Sequence, residues 1–250
     1  MNAVFRTDRG RIRSHNEDSG GVFHHEGRLC LAVVADGMGG HNAGDIASRM
    51  TIETFEKEWA ETAAHIQSPD EAVNWLRSVI PMINATILQH AVEHPECSGM
   101  GTTLVAALCT EKFCTIASIG DSRCYLQSED GFTQVTDDHS LVNELVKSGE
   151  ITKEAAEVHP RKNVLTRALG TDEQVTVDYR TVMFEPGDVL LLCSDGLSNK
   201  VTPADMSHIL HSAEPLEEKA DTLIRMANQN GGEDNITVVI LGHGAESGSG

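Results

Sequence analysis

Apolar residues in this chain gather into short unbroken runs, and the most pronounced of them stop at an acidic residue. Leu31-Ala32-Val33-Val34-Ala35 reaches Asp36, and Gly37-Met38-Gly39-Gly40 follows at once. A Val- and Leu-rich run bounded by glycines predicts a strand buried on both faces. Asp36 would then stand at the strand's end, with glycines that let the backbone turn and approach a ligand closely. An isolated Asp-Gly pair reads more readily as a hairpin turn, but here the design recurs. Leu190-Leu191-Leu192-Cys193-Ser194 runs into Asp195-Gly196, and Ile116-Ala117-Ser118-Ile119-Gly120 runs into Asp121. Glu233-Asp234-Asn235 precedes a further apolar run, 236–241. Four carboxylate-bearing strand ends predict one shared acidic cluster.

The remaining pattern fills in a sandwich. Residues 3–7 and 21–25 read as short strands flanking a loop that holds Arg13 to Asp18. Asp45 is placed to cap a helix reaching about Trp59, with Ile46, Met50, Ile52 and Phe55 as its apolar residues. Ser68-Pro69-Asp70 opens a second helix that ends before Pro95. Val73, Leu76, Ile80, Ile83, Ile87 and Val92 supply its stripe, and Pro81 lies inside it. Four β-like runs with tight links occupy 101–135 and are expected to pair antiparallel in succession, with a hairpin at Ser128-Glu129-Asp130-Gly131. A helix at 140–147 stops at Gly149, and Thr152 caps another. Strands return at 175–182, 189–193 and 237–241, with a helix at 216–229. No internal repeat or linker is visible.

Charge and cysteine usage narrow the function. With 19 Lys plus Arg against 38 Asp plus Glu, the 250-residue chain carries a formal charge of -19, which argues against nucleic acid and anionic membranes as partners. The six cysteines form no C-x-x-C pair and lie mostly inside apolar runs. They read as core thiols in a reducing cytoplasm. No apolar run approaches the roughly 20 residues of a membrane helix, so a soluble cytoplasmic protein is expected. Clustered carboxylates repel one another unless a cation sits among them, and oxygen ligands suit hard ions such as magnesium, manganese or calcium. Gly37-Met38-Gly39 after a strand is also compatible with a dinucleotide fingerprint, which Asn42 and the antiparallel runs rule out. The Gly99 to Thr103 segment lacks a Walker lysine.

Eight segments in order then carry a resemblance over nearly the whole chain. They are Arg11 to Asp18, Asp36-Gly37-Met38-Gly39-Gly40, Gly99-Met100-Gly101-Thr102-Thr103 and Gly120-Asp121-Ser122-Arg123, followed by Asp138-His139-Ser140, Leu165 to Gly170, Ser194-Asp195-Gly196 and Glu233-Asp234-Asn235. Together they resemble the metal-dependent protein serine/threonine phosphatases of the PPM (type 2C) family, in the compact stand-alone form of bacterial members. The resemblance implies an α+β fold, a four-layer α-β-β-α sandwich of two mainly antiparallel sheets. One phosphatase domain would span 1–243, with a flap at about 139–165 and a flexible tail at 244–250. It implies hydrolysis of phosphoserine and phosphothreonine by a water activated between two Mg²⁺ or Mn²⁺ ions, without a phosphoenzyme.

The same resemblance distributes the roles. Asp36 would bridge the two ions; Asp195 and Asp234 would complete the first site, and the Gly37 carbonyl would serve the second. Glu17 and Asp18 would hold the ions' waters, although Asp18 also reads as a loop cap. Asp121 with Asp195 matches a third ion site, or Asp121 serves its own turn; Asn199 stands where some members place another acid. Arg13 would bind the phosphate, whereas Arg11 reads as solvated and His15 as loop packing. Met38 occupies the place of a proton-donating histidine in eukaryotic relatives; His41 either lines the substrate cleft or caps the glycine turn. Arg161 and Lys162 of the flap would meet phosphoproteins or simply face solvent. The implied partners are phosphoproteins, including a cognate serine/threonine kinase, acted on by a monomer. A catalytically inactive phosphoprotein-binding module on the same fold is the alternative, which intact Asp36, Asp195, Asp234 and Arg13 disfavour.

Overall fold

A computed structural model describes residues 1–25, 28–39, 43–63 and 66–244. Two antiparallel sheets lie face to face. The first contains β1 (Asn2–Asp8), β7 (Arg123–Ser128), β8 (Gly131–Gln134), β10 (Val189–Cys193) and β11 (Ile236–Gly242), in the order β1-β11-β10-β7-β8. The second contains β2 (Asp18–His25), β3 (Leu29–Met38), β5 (Leu104–Cys109), β6 (Phe113–Ile119) and β9 (Asp178–Met183), in the order β2-β3-β5-β6-β9. The two-residue β4 (Gly101–Thr102) is added against β3.

Why the runs are continuously apolar follows from the layering. Along β3, Leu29, Leu31 and Val33 face a core shared with helices α1 (Ala43–Thr62) and α2 (Pro69–Glu93). Alternate residues Cys30, Ala32 and Val34 face the opposite sheet. In β11, Ile236, Val238 and Ile240 pack toward the one-turn α5 (Asp195–Ser198), α6 (Pro203–His211) and α7 (Leu216–Gln229), whereas Val239 and Leu241 point between the sheets. Both faces of each sheet are therefore covered, and the period-2 alternation divides one apolar set from another. The order of layers is helix, sheet, sheet, helix. Cys30, Cys109, Cys114 and Cys124 lie in the inter-sheet core, and all six cysteines are buried and free.

Ser68 caps α2 through a reciprocal capping box with Glu71, as the Ser-Pro-Asp signal predicts. Four departures from the sequence reading have physical causes. First, β3 continues two residues past Asp36, because Gly37 and Met38 pair with Thr102 and Gly101 of β4. Second, Asp45 lies inside the first turn of α1 rather than capping it. Third, β6 and β7 are not antiparallel neighbours. The Gly120-Asp121-Ser122 link carries the chain from one sheet to the other, and a tight link permits that when its glycine takes φ +96°. Fourth, α6 was not anticipated, since its three buried side chains, Met206, Ile209 and Leu210, make too short a stripe to stand out. Val92, predicted on the apolar stripe of α2, is exposed at the helix end. No described helix is long and apolar enough to cross a membrane.

Candidate active site

The predicted carboxylates meet at one end of the sandwich. Asp18 and Asp36 are directly paired residues of β2 and β3, so their side chains leave the same face of the second sheet. Asp195 follows β10 and Asp234 precedes β11, neighbouring strands of the first sheet. Asp121 sits on the crossover between the sheets. Like charges placed opposite one another in this way are unfavourable unless something offsets them.

Backbone and hydroxyl contacts fix the cluster. The main chain of Asp36 is held by the Thr pair: its N–H donates to Thr103 Oγ1 at 3.0 Å, and its carbonyl accepts from Thr102 Oγ1 and Thr103 N at 2.9 Å each. Gly37 donates its N–H to the Glu17 carbonyl at 3.1 Å. A Cβ at Gly37 would run into the Gly44 carbonyl and the Glu17 carbonyl, so only glycine allows this approach of strand, loop and helix. Ser194 Oγ donates to Asp18 Oδ2 at 2.7 Å, and Asn199 Nδ2 to Asp195 Oδ2 at 3.1 Å. Arg13, half exposed, donates from Nη2 to Asp234 Oδ2 at 2.8 Å.

The electrostatics follow. Burial raises the carboxyl of Asp36 well above its ordinary range, and repulsion from Asp18, Asp195, Asp121 and Asp234 adds to it. Burial lifts Asp18 to about 7, opposed by the hydrogen bond from Ser194, with Asp195 and Asp234 pushing it further. Burial, then Asp195 and Asp138, lift Asp121 to about 7. Burial and the neighbouring Asp234 lift Asp195 to about 6. Glu17 is raised by burial, with Asp45 adding and Arg13 opposing.

The groups fit a bound cation. Oδ1 of Asp18 and Oδ1 of Asp195 are buried without a hydrogen-bond partner, as is Oδ1 of Asp45. Such oxygens are costly unless an ion or water receives them. Among the described residues, no three His, Cys, Asp or Glu side chains stand close enough to chelate an ion by themselves. A hard divalent ion that retains several waters does not require them to.

A pH dependence of stability is expected from these shifts. In the unfolded chain aspartates titrate near 4 (~3.9), so between about pH 4 and 7 the metal-free fold holds more protons than the unfolded chain. Stability then falls as pH rises through that window. For chelator-treated protein, the melting temperature is expected to drop by about 5 °C or more from about pH 5 to pH 8. Added Mg²⁺ or Mn²⁺ at the higher pH should restore it. A flat profile would contradict the carboxylate packing.

Some predicted residues take other places. His41 lies outside the described residues, as do 245–250 of the predicted tail. Met38 packs its Cε against Gly101. Arg167 pairs with Asp178 at 3.1 Å. His139 Nδ1 accepts from Gly120 N–H at 3.1 Å, leaving Nε2–H for Asp178 Oδ2 at 3.1 Å. Arg123 clasps Asp138 at 2.9 and 2.7 Å. The root of the 139–165 segment is thus tied to both sheets. That segment carries two short helices, α3 (Leu141–Lys147) and α4 (Lys153–Glu157). Glu233 is held low first by its hydrogen bond with Lys200, and Lys162 adds a smaller attraction. Sequence reading gives no site role to Ser194 or Thr103, and gives Asp45 only that of a helix cap. The available signals were a hydroxyl at the end of an apolar run, a buried Thr pair, and an acid nine residues beyond Asp36.

An acidic centre fed by both sheets, with an arginine fork at its rim, is the arrangement of a cation-requiring phosphate-ester hydrolase. A family profile described as Protein phosphatase 2C matches residues 9–249, and the chain belongs to this family. It is 52% identical over 241 residues to "Serine/threonine phosphatase stp" of Listeria innocua, covering 96% of this chain and 95% of that one. Among solved structures it resembles the Streptococcus agalactiae serine/threonine phosphatase (TM-score 0.90, 38% identity, 96% and 98% coverage). It also resembles the catalytic domain of the phosphatase PstP in complex with two manganese ions (TM-score 0.82, 36% identity, 96% of each chain).

Proposed function

We propose that this chain hydrolyses phosphoserine and phosphothreonine esters of proteins, with a divalent metal as cofactor. The observation that carries the reading is the pooling of Asp18, Asp36, Asp121, Asp195 and Asp234 at one sandwich end beside Arg13. Family membership and relatives named as serine/threonine phosphatases support it. Residues 1–243 act as one catalytic unit, with 139–165 as its flap.

Asp36, Asp195, Asp234 and the Gly37 carbonyl hold two Mg²⁺ or Mn²⁺ ions, with Glu17 and Asp18 outside them and Asp121 available to a third. When bound, such a pair supplies a strong nucleophile near neutral pH and neutralises charge on the phosphoryl oxygens. The protein's own part is positional. Thr102 and Thr103 lock Asp36, Ser194 and Asn199 orient Asp18 and Asp195, and Arg13 presents a planar fork to two phosphate oxygens. Asn199 is neutral, so a third ion would be weakly held. No cysteine stands in a phosphate-cradling loop, which favours direct transfer to water. The substrates include a serine/threonine kinase whose phosphosites this enzyme clears. It acts as a monomer in the cytoplasm, and six free, buried thiols support the reducing compartment.

Phosphate release from a phosphothreonine peptide tests the reading. Turnover should require added Mn²⁺ or Mg²⁺ and cease with chelator. Metal binding without any turnover would overturn it in favour of a phosphoprotein-binding module.

A further inference from the structure

The segment from Arg9 to Glu17 carries the arginine of the candidate site, yet it has no regular secondary structure before Asp18. One buried side chain, Asn235, makes three of the hydrogen bonds that hold it. Asn235 Oδ1 accepts the Glu17 N–H at 2.8 Å, and Asn235 Nδ2 donates to the Arg9 carbonyl and to the His15 carbonyl, each at 2.9 Å. An asparagine amide offers an acceptor and two N–H groups, and here all of them are spent on this loop. The Asn235 main chain acts on the other partner. Its N–H donates to Asp234 Oδ1 at 2.9 Å, which leaves Asp234 Oδ2 for Arg13. Two backbone bonds add to the attachment, Arg11 N and Ile12 N to the Gly232 carbonyl at 2.7 and 3.3 Å. A Cβ at Gly10 would collide with the Asp234 carbonyl, so the loop lies directly on the turn that bears the carboxylate.

We propose that Asn235 is a positioning residue that latches the Arg9–Glu17 loop to the Asp234 turn and so presents Arg13 to the phosphate. This rests on the reading of Arg13 as the phosphate-binding residue. Asn235 touches neither substrate nor ion; it acts through the loop. Without the latch the loop samples many positions, and the guanidinium pays an ordering cost each time phosphate binds.

The test uses the whole chain with saturating Mg²⁺ and two variants. Asn235→Ala removes all three side-chain bonds. Asn235→Asp keeps shape and the acceptor for Glu17 N–H, but turns acceptor-only oxygens toward two carbonyls. Binding of inorganic phosphate by calorimetry and KM for p-nitrophenyl phosphate are read beside kcat, each also in an Arg13→Ala background. Either variant should weaken phosphate binding about tenfold, with KM rising more than kcat falls. In the Arg13→Ala background the further loss should be under twofold.

The same tenfold loss persisting without Arg13 would overturn the proposal, since Asn235 would then act through the fold or the carboxylates. Unchanged phosphate binding in both variants would also overturn it. Should Asn235→Ala melt at the assay temperature, Asn235→Asp decides. A wild type that binds phosphate but releases none from p-nitrophenyl phosphate would defeat the phosphatase reading alone, because the latch is scored on binding.

Discussion

Replacing Asp36 by asparagine is expected to lower phosphopeptide turnover on the order of 10³-fold or more, while raising the melting temperature of the metal-free protein. The two effects come from one property. Asp36 faces Asp18 across the β2–β3 ladder, and Asp195, Asp121 and Asp234 all raise its carboxyl. An amide of the same shape removes that repulsion, and Thr102 and Thr103 hold the backbone rather than the carboxylate, so its anchoring survives. A neutral amide is also a poor ligand for a hard ion and cannot serve two of them. Three measurements separate the outcomes: turnover with Mn²⁺, melting with chelator, and melting with Mn²⁺. Wild type should be stabilised by the ion, and Asp36→Asn far less. Asp36→Asn turning over within tenfold of wild type would remove Asp36 from the centre of the site. Loss of activity together with a lowered metal-free melting temperature would mean a packing role instead.

Much of this arrangement is legible in the sequence, for a physical reason. A strand buried on both faces must be apolar, so a carboxylate that closes the apolar run stands out sharply, and this marks Asp36 and Asp195 in the sequence. The strand expected at 189–193 and the helix expected at 216–229 stand at those residues. Less visible was anything that depends on which sheet a strand joins. Successive tight runs at 101–135 predict a meander, yet the chain leaves the second sheet at Gly120, and that crossover is what brings Asp121 between the sheets. A local pattern cannot report it, because a short link suits a hairpin and a sheet-to-sheet step alike. Asp45 illustrates the same limit. Its type and position suit an N-cap, but the helix begins earlier and the carboxylate comes to lie near Glu17. Metal and phosphate roles came from the family resemblance, not from periodicity. Ser194, Thr103 and Asn235 needed the fold, since their partners are distant in sequence.

Arg13→Ala should cut kcat/KM for a phosphothreonine peptide about 100-fold, and Arg13→Lys should recover only a small part of it. The guanidinium is half exposed at the rim and held at one nitrogen by Asp234 Oδ2. Its contact with Asp234 is the main reason its own pKa rises, ahead of the burial that opposes it. A lysine keeps the charge but offers a point donor in place of a planar fork, so it cannot span two phosphate oxygens. The contact with Asp234 gives the substitution a second signature. In the resting protein Arg13 neutralises part of Asp234, the carboxylate proposed to hold an ion, so removing it should leave metal binding intact or tighten it. Titration calorimetry with Mn²⁺ on Arg13→Ala therefore discriminates. A large loss in kcat/KM with undiminished metal affinity assigns Arg13 to the phosphate. A parallel loss of metal affinity would make it a support for the Asp234 turn, and the latch at Asn235 would then serve the ions rather than the substrate.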